Sequence, residues 1–398
     1  MPQHTHSEAL TLPQVGLGLW KSKPGEVGEA VKTALRSGYQ LLDGAAAYSN
    51  EIEVGEALAE CIAQGIVMRD DVVVVSKLFN THHVWQGDRS RPAAALAKTL
   101  ADLQLEYLDL YLMHWPLAFE QTDMAAIGGL RLENGTPNPK LVMEFEYLET
   151  WREMLALKRQ GKARHLGVCN FTVEMLRSLM AAFPADEWPE VNQVELHPYL
   201  AQPELGAFCR EHGFALMAYS PLGSADSYSG ASFPAQVGGQ QGSPRSISHA
   251  AFGSGRTCTW ACACACCTRA RVHMHVHAPV HVHALVHVHL PTQGSNAFES
   301  RHGGTPLLKN AIVDQIAAKH RVTPAQVLVA WSVRRGFTCL PKSVQPARIV
   351  QNLVGASLPL DEADMRRLAE LDCGFRYSIG YCPGFFDCPN APWYQAPS

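Results

Sequence analysis

Short apolar segments alternate with amphipathic helical ones along most of this chain, and that alternation restricts its fold more than any other feature. Residues 16–20, 40–43, 72–77, 108–113, 165–168, 191–195, 214–219 and 337–341 read as strands. Between them, residues 26–36, 51–63, 91–103, 145–160 and 203–212 carry apolar side chains at three- and four-residue spacing, the mark of a helix with one buried face. Strands separated by helices pair in parallel through crossovers. Eight such strands are the number that closes a (β/α)8, or TIM, barrel. The stretch ahead of Gly16 is too polar for a core strand and is expected to cap one end.

An open doubly wound sheet is the main competitor. It needs Gly-x-Gly-x-x-Gly directly after its first strand. Here Gly16 and Gly18 are followed by Leu19, Trp20 and Lys21, so the fingerprint is incomplete. Charge narrows the functions further. With 33 Lys+Arg against 37 Asp+Glu and a net charge of -4, the chain carries no electrostatic footprint for nucleic acid or an anionic membrane. No apolar run approaches the roughly 20 residues of a membrane-spanning helix. The N-terminus, MPQHTHSEAL, lacks the basic start and apolar core of a secretory signal. A soluble cytoplasmic protein acting on a small molecule is the expectation.

Residues 225–304 break the pattern. They open with a Gly/Ser/Gln-rich stretch and continue into ACACACC and VHMHVHAPVHVHALVHVH. Five of the 12 cysteines (Cys258, Cys262, Cys264, Cys266, Cys267) and seven of the 18 histidines, from His273 to His289, fall here. His at alternate positions would line one face of a strand and could bind zinc or copper. Val-His and Ala-Cys can equally be encoded by one simple purine–pyrimidine repeat, and a translated repeat is the reading preferred here; no metal site is assigned. The other cysteines are scattered singly, as expected of reduced thiols. Setting this low-complexity insertion aside leaves residues 1–224 and 305–398, about 318 in all, which suits one barrel.

In such a barrel the active site lies at the C-terminal ends of the strands. Asp43 ends the second strand, with Tyr48 in the loop beyond it; Lys77 ends the third, and His114 follows the fourth. Each has an ordinary alternative, as a helix cap, packed aromatic, surface cation or core imidazole. Their convergence on one rim is harder to explain that way. A tyrosine with pKa near 10 is a poor proton donor at neutral pH, and a buried ammonium beside it lowers that value. Lys77 is placed to supply the charge, Asp43 to hold Lys77, and His114 to orient a carbonyl oxygen. The set suits protonation of an alkoxide formed when hydride reaches a carbonyl carbon, which needs a nicotinamide cofactor.

Three segments carry a closer likeness: GYQLLDGAAAYSNEIEVGEAL, LDLYLMHWP and LPKSVQPARIVQN. They resemble signatures of the aldo-keto reductases, in particular the aldehyde and aldose reductase branch. The resemblance implies a TIM barrel, NADPH, and a catalytic tetrad of Tyr48, Lys77, His114 and Asp43. It places the nicotinamide carboxamide against Asn170 and Gln193, the ring on Tyr219, and Ser220, Leu222 and Ser224 near the pyrophosphate. Cys169 stands where serine is common in the family, and Gln351 where glutamate is. Lys342, Ser343 and Arg348 lie just past the eighth strand and before a helix, and cations with backbone amides at a helix start suit a phosphate. With the resemblance, that phosphate is the 2′-phosphate of NADP, with Asn352 near the adenine.

Trp20 and Trp115 are expected to wall the substrate pocket, favouring a hydrophobic carbonyl compound. Trp85 and Phe119 are weaker candidates, as are Phe385, Phe386 and Trp393 in the C-terminal segment. The expected protein is a monomeric NADPH-dependent aldehyde reductase. The alternatives are a regulatory barrel that binds NADPH without turnover, and a metal binder acting through the His/Cys tract.

Overall fold

The structure, a computed structural model, describes residues 10–20, 22–120, 140–142, 146–224 and 305–377. The chain divides into two units, and all described residues belong to the one formed by Met1–Ser232 and Pro291–Ser398. The insertion assigned to residues 225–304 and the candidates Phe385, Phe386 and Trp393 lie outside the described residues.

Eight parallel strands form one sheet: β1 (Leu17–Gly18), β2 (Leu41–Asp43), β3 (Val73–Leu78), β4 (Leu108–Met113), β7 (Ala163–Cys169), β8 (Val191–Glu195), β9 (Ala215–Tyr219) and β10 (Thr338–Leu340). A small antiparallel hairpin, β5 (Ala118–Phe119) with β6 (Leu141–Val142), sits between β4 and β7 in sequence. Strand order follows chain order, each strand pairing in parallel with the next through an intervening connection. The sheet closes on itself through backbone hydrogen bonds from Gly16 N to Cys339 O at 2.9 Å and from Gly18 N to Pro341 O at 3.1 Å. The expected eight-stranded barrel is therefore present. The first strand is shorter than the sequence suggests, because closure engages only a few of its residues.

Successive residues on a strand point to opposite sides, so every second residue enters the barrel. Leu41, Val75, Leu110, Leu112, Cys169, Val191, Met217 and Leu340 form the interior cluster, and Leu10 and Leu12 pack against it. Two residues beyond four members of that layer, in the direction of the strands' C-terminal ends, come Asp43, Lys77, Gln193 and Tyr219. The period that builds the apolar interior thus also delivers a polar layer to its mouth. At Gly167 the interior leaves no room: an added Cβ would lie 2.6 Å from Leu112 Cδ2 and 2.7 Å from Val191 O.

Helices cover the outside. They include α1 (Val27–Arg36), α2 (Glu51–Ala63), α3 (Arg91–Leu103), α4 (Tyr147–Arg159), α5 (Val173–Ala182) and α6 (Pro203–His212). After the insertion come α7 (Ala311–His320), α8 (Pro324–Arg334), α9 (Pro346–Gly355) and α10 (Glu362–Ala369). Their apolar faces bury large side chains such as Trp151 and Trp331. Among the described residues no helix is long and apolar enough to cross a membrane, and no group of three or more His, Cys, Asp or Glu is placed to hold a metal ion.

Candidate active site

Four sequence-predicted residues meet at the mouth of the barrel. Lys77 ends as an inward residue of β3, and its ammonium uses three acceptors: Asp43 Oδ1 at 2.8 Å, Gly44 O at 2.7 Å and Tyr48 Oη at 3.3 Å. Because Lys77 donates to the Tyr48 oxygen, the phenolic proton stays free for another acceptor. Tyr48 ends a single 3-10 turn, Ala46–Tyr48, that follows β2 and precedes α2. The start of α2 is fixed by Glu51, whose buried carboxylate accepts Ser76 Oγ at 2.5 Å and Thr99 Oγ1 at 3.1 Å. This ties the Tyr48 loop to β3 and α3.

His114 follows β4, its backbone N–H donating to Leu78 O at 3.0 Å. Its ring meets Tyr48 edge-on at 6.0 Å and Phe79 at 5.9 Å between centroids. Its Nδ1 is buried without a hydrogen-bond partner among the described residues. Burial, reinforced by the Lys77 charge, pushes the imidazole well below its ordinary pKa, so His114 is neutral. A neutral ring can still hydrogen-bond a carbonyl oxygen.

Burial acts on the other members too. It opposes the charge on Lys77, but Asp43, Tyr48 and Cys169 outweigh it, and the ammonium is held above its usual range. For Tyr48 the balance runs against the expectation from sequence. Lys77 lowers its proton affinity, yet desolvation is larger, and the phenol is pushed up to about 12. Tyr48 is therefore fully protonated at neutral pH, with the ammonium only partly offsetting burial.

A cavity of about 520 Å³ opens over these groups, within the range typical of ligand pockets. Asp43, Tyr48, His114, Trp20 and Trp115 line one part of it. Asn170, Gln193, Tyr219, Ser220, Leu222 and Ser224 also line it, as do Lys342, Ser343, Arg348 and Asn352. Of the sequence-predicted set, only Lys77 lies beneath the surface of the cavity. Trp85 and Phe119 are elsewhere: Trp85 lies under the Arg91 guanidinium at 5.7 Å, and Phe119 is buried core.

The backbone strains to aim some of these side chains. Asn170 (φ 65°) and Ser220 (φ 50°) both adopt left-handed conformations just past β7 and β9. Such outliers persist where the surrounding structure holds them. Asn170 donates from Nδ2 to His114 O at 3.0 Å and accepts from Tyr219 Oη at 2.8 Å. Gly223 (φ 70°) packs against the Tyr377 ring, closing the turn that presents Ser220 to Ser224. Trp115 is steadied from behind by His83, which contacts its carbonyl through Nε2 at 3.1 Å. Lys342 is joined to Gly18 by a parallel bridge, which brings it next to β1.

Sequence reasoning missed several lining residues. Phe79, two residues past Lys77, shares its rim and could have been read from that spacing. Leu308, Thr323, Pro324 and Ala325 also line the cavity. Thr323 caps α8 in a capping box with Gln326, a start signal visible in TPAQ, but nothing local places that helix end across from Arg348.

Known proteins resemble this chain over most of its length. The Aldo/keto reductase family profile matches residues 14–372. Aldo-keto reductase family 1 member A1 of Gallus gallus is 36% identical over 374 residues, covering 92% of this chain and 88% of that protein. The structure of an aldose reductase from Schistosoma japonicum superposes with a TM-score of 0.66 at 26% identity, over 94% of this chain and 93% of that one. A Bombyx mori aldo-keto reductase solved in complex with NADP gives 0.63 at 27% identity, over 92% of each chain. Barrel, polar mouth and sequence agree: the chain belongs to the aldo/keto reductase family of oxidoreductases.

Proposed function

We propose that this protein is an NADPH-dependent reductase that converts aldehydes, with aldoses and ketones as related substrates, to alcohols, with Tyr48 as the proton donor. The observation that carries the reading is the Lys77 ammonium, which donates to Tyr48 Oη at 3.3 Å and leaves the phenolic proton free over the cavity. When bound, NADPH supplies the hydride.

The residues present fit that cofactor. Lys342 and Arg348 offer cations, Ser343 a hydroxyl, and the start of α9 its backbone amides, a combination suited to a phosphate. Asn352 stands beside them for the adenine. Asn170 and Gln193 bring amide groups to the same cavity as Tyr48, and Tyr219 a ring face for the nicotinamide. Ser220, Leu222 and Ser224 line the span assigned to the pyrophosphate. The NADP complex of the Bombyx mori relative supports the choice of cofactor.

The chain's own chemistry is then simple. A carbonyl oxygen between Tyr48 and the neutral His114 accepts hydrogen bonds that orient it. Tyr48 gives up its proton to that oxygen, and the fixed Lys77 charge stabilises the phenolate left behind. Trp20 and Trp115 exclude water from the reacting carbon. We assign this barrel to residues 1–224 and 305–398.

Tyr48→Phe tests the reading. Loss of a positioned general acid costs about 10²–10⁴ in rate, so aldehyde reduction should fall by that factor while NADPH affinity by fluorescence titration stays put. Near-full turnover by the variant would remove Tyr48 from the role.

A further inference from the structure

One carboxylate oxygen at the barrel mouth serves two donors. Asp43 Oδ1 accepts Lys77 Nζ at 2.8 Å and, from β8 across the barrel, Gln193 Nε2 at 2.8 Å. Asp43 is 4% exposed and Gln193 2%, so solvent is poorly placed to replace either bond. We propose that Gln193 is a positioning residue for the proton donor: by pinning Asp43 it holds the Lys77 ammonium against Tyr48, so a side chain facing the ligand cavity also sets the proton affinity of the acid. The inference rests on Tyr48 being that acid.

A buried carboxylate keeps its charge and its orientation only through the donors around it. Without Gln193, Asp43 Oδ1 keeps Lys77 alone and is freer to rotate. The ammonium, then fixed mainly by Gly44 O at 2.7 Å, is less tightly held at 3.3 Å from Tyr48 Oη. That ammonium is what lowers the Tyr48 proton affinity against the pull of burial. The titratable groups facing the pair are Asp43 on β2, His114 after β4 and Cys169 on β7. Burial holds His114 neutral and drives the Cys169 thiol far above its usual range, so neither changes charge near neutral pH. The Lys77–Asp43 pair is thus the charge that Tyr48 senses, and among the described residues Gln193 is the neutral side-chain donor that anchors it.

Two variants of the full chain test this. Gln193→Met keeps length and loses the amide; Gln193→Glu keeps shape and sets a second carboxylate against Asp43. The readouts are the pH profile of NADP+-linked alcohol oxidation, which needs deprotonated Tyr48, and NADPH affinity by fluorescence titration. The rising limb should move to higher pH by on the order of one unit in Gln193→Met, about tenfold in rate at a fixed pH on that limb, and further in Gln193→Glu. A limb that stays at the wild-type position in both variants, with only NADPH affinity reduced, overturns the proposal. Tyr48→Phe is run alongside. If it abolishes turnover, a stationary limb counts against Gln193 alone; if it turns over at the wild-type rate, the assignment of the acid and this proposal fall together.

Discussion

Lys77 Nζ lies 2.8 Å from Asp43 Oδ1, with the two side chains only 1% and 5% exposed. Removing one partner of such a buried pair strands the other, at a cost of about 3–5 kcal/mol. Asp43→Asn and Lys77→Met should each lower the unfolding free energy obtained from urea titration by that amount. The double variant Asp43→Leu/Lys77→Met should recover most of the stability but none of the activity. Lys77 is held above its usual pKa, so its contribution is complete below the unfolded value near 10.4 and is lost only as pH rises through the folded one. The single-variant losses should therefore match at pH 6 and pH 9. Additive losses in the double variant would argue that the pair does not interact.

Acid should destabilise the barrel through its buried imidazoles. Burial pushes His83 down to about 3, and drives His114 well below its ordinary range. Folded-state values depressed in this way mean that the stabilisation is present above the unfolded pKa of about 6.5 and drains away as pH falls. Each histidine then contributes up to about 1.4 kcal/mol per pH unit below that point. Urea midpoints measured from pH 7 to pH 5 should fall accordingly, and His83→Gln should flatten the slope. An unchanged slope in that variant would show that His83 does not bind its proton differently in the two states.

Arg348 is exposed at the first turn of α9 and lines the cavity beside Lys342 and Ser343. If it holds a phosphate on the cofactor, Arg348→Ala loses a charge-assisted contact of about 1.5–3 kcal/mol, or roughly 10- to 100-fold in NADPH affinity. NADH, lacking the 2′-phosphate, should bind the variant as it binds the wild type. Equal affinities of the wild type for the two cofactors would contradict the assignment.

Gly167 is an inward residue of β7 with Leu112 and Val191 against it. Gly167→Ala should cost about 1–3 kcal/mol through overpacking, read as a lower melting temperature. A neutral effect would mean that the interior layer can relax around a methyl group.

The segment ending at Ser224 lines the cavity, and the Gly/Ser/Gln- and His/Cys-rich tract follows it directly. Deleting residues 225–304 is expected to preserve the barrel, since loop-closure cost rises only slowly with length, and to tighten NADPH binding, since the insertion starts directly after the cavity-lining Ser224. Circular dichroism and the NADPH dissociation constant check the two parts. Matching dissociation constants would show that the insertion does not affect NADPH binding.

Much of this was legible residue by residue. The two-residue step from Leu41 to Asp43, from Val75 to Lys77 and from Met217 to Tyr219 is a local property of strands, and it sends the apolar member inward and the polar member to the mouth. Helix limits at 51–63, 91–103 and 203–212 match the sequence pattern for the same reason, since a buried stripe at three- and four-residue spacing is readable without knowing its partner. Trp85 and Phe119 could not be sorted from Trp20 and Trp115 in this way, because aromatic type says nothing about which side of a loop faces the cavity.

Relations between strands belong to the tertiary structure alone. Gln193 and Asp43 are 150 residues apart, and only closure of β10 onto β1, with the stagger that closure imposes, brings β8 and β2 to the same height across the barrel. The same closure decides how deeply Tyr48 is desolvated, and so reversed the direction expected from Lys77 alone. Local periodicity sets which way a side chain points, whereas its neighbours and its dielectric surroundings are set by where the rest of the chain comes to lie.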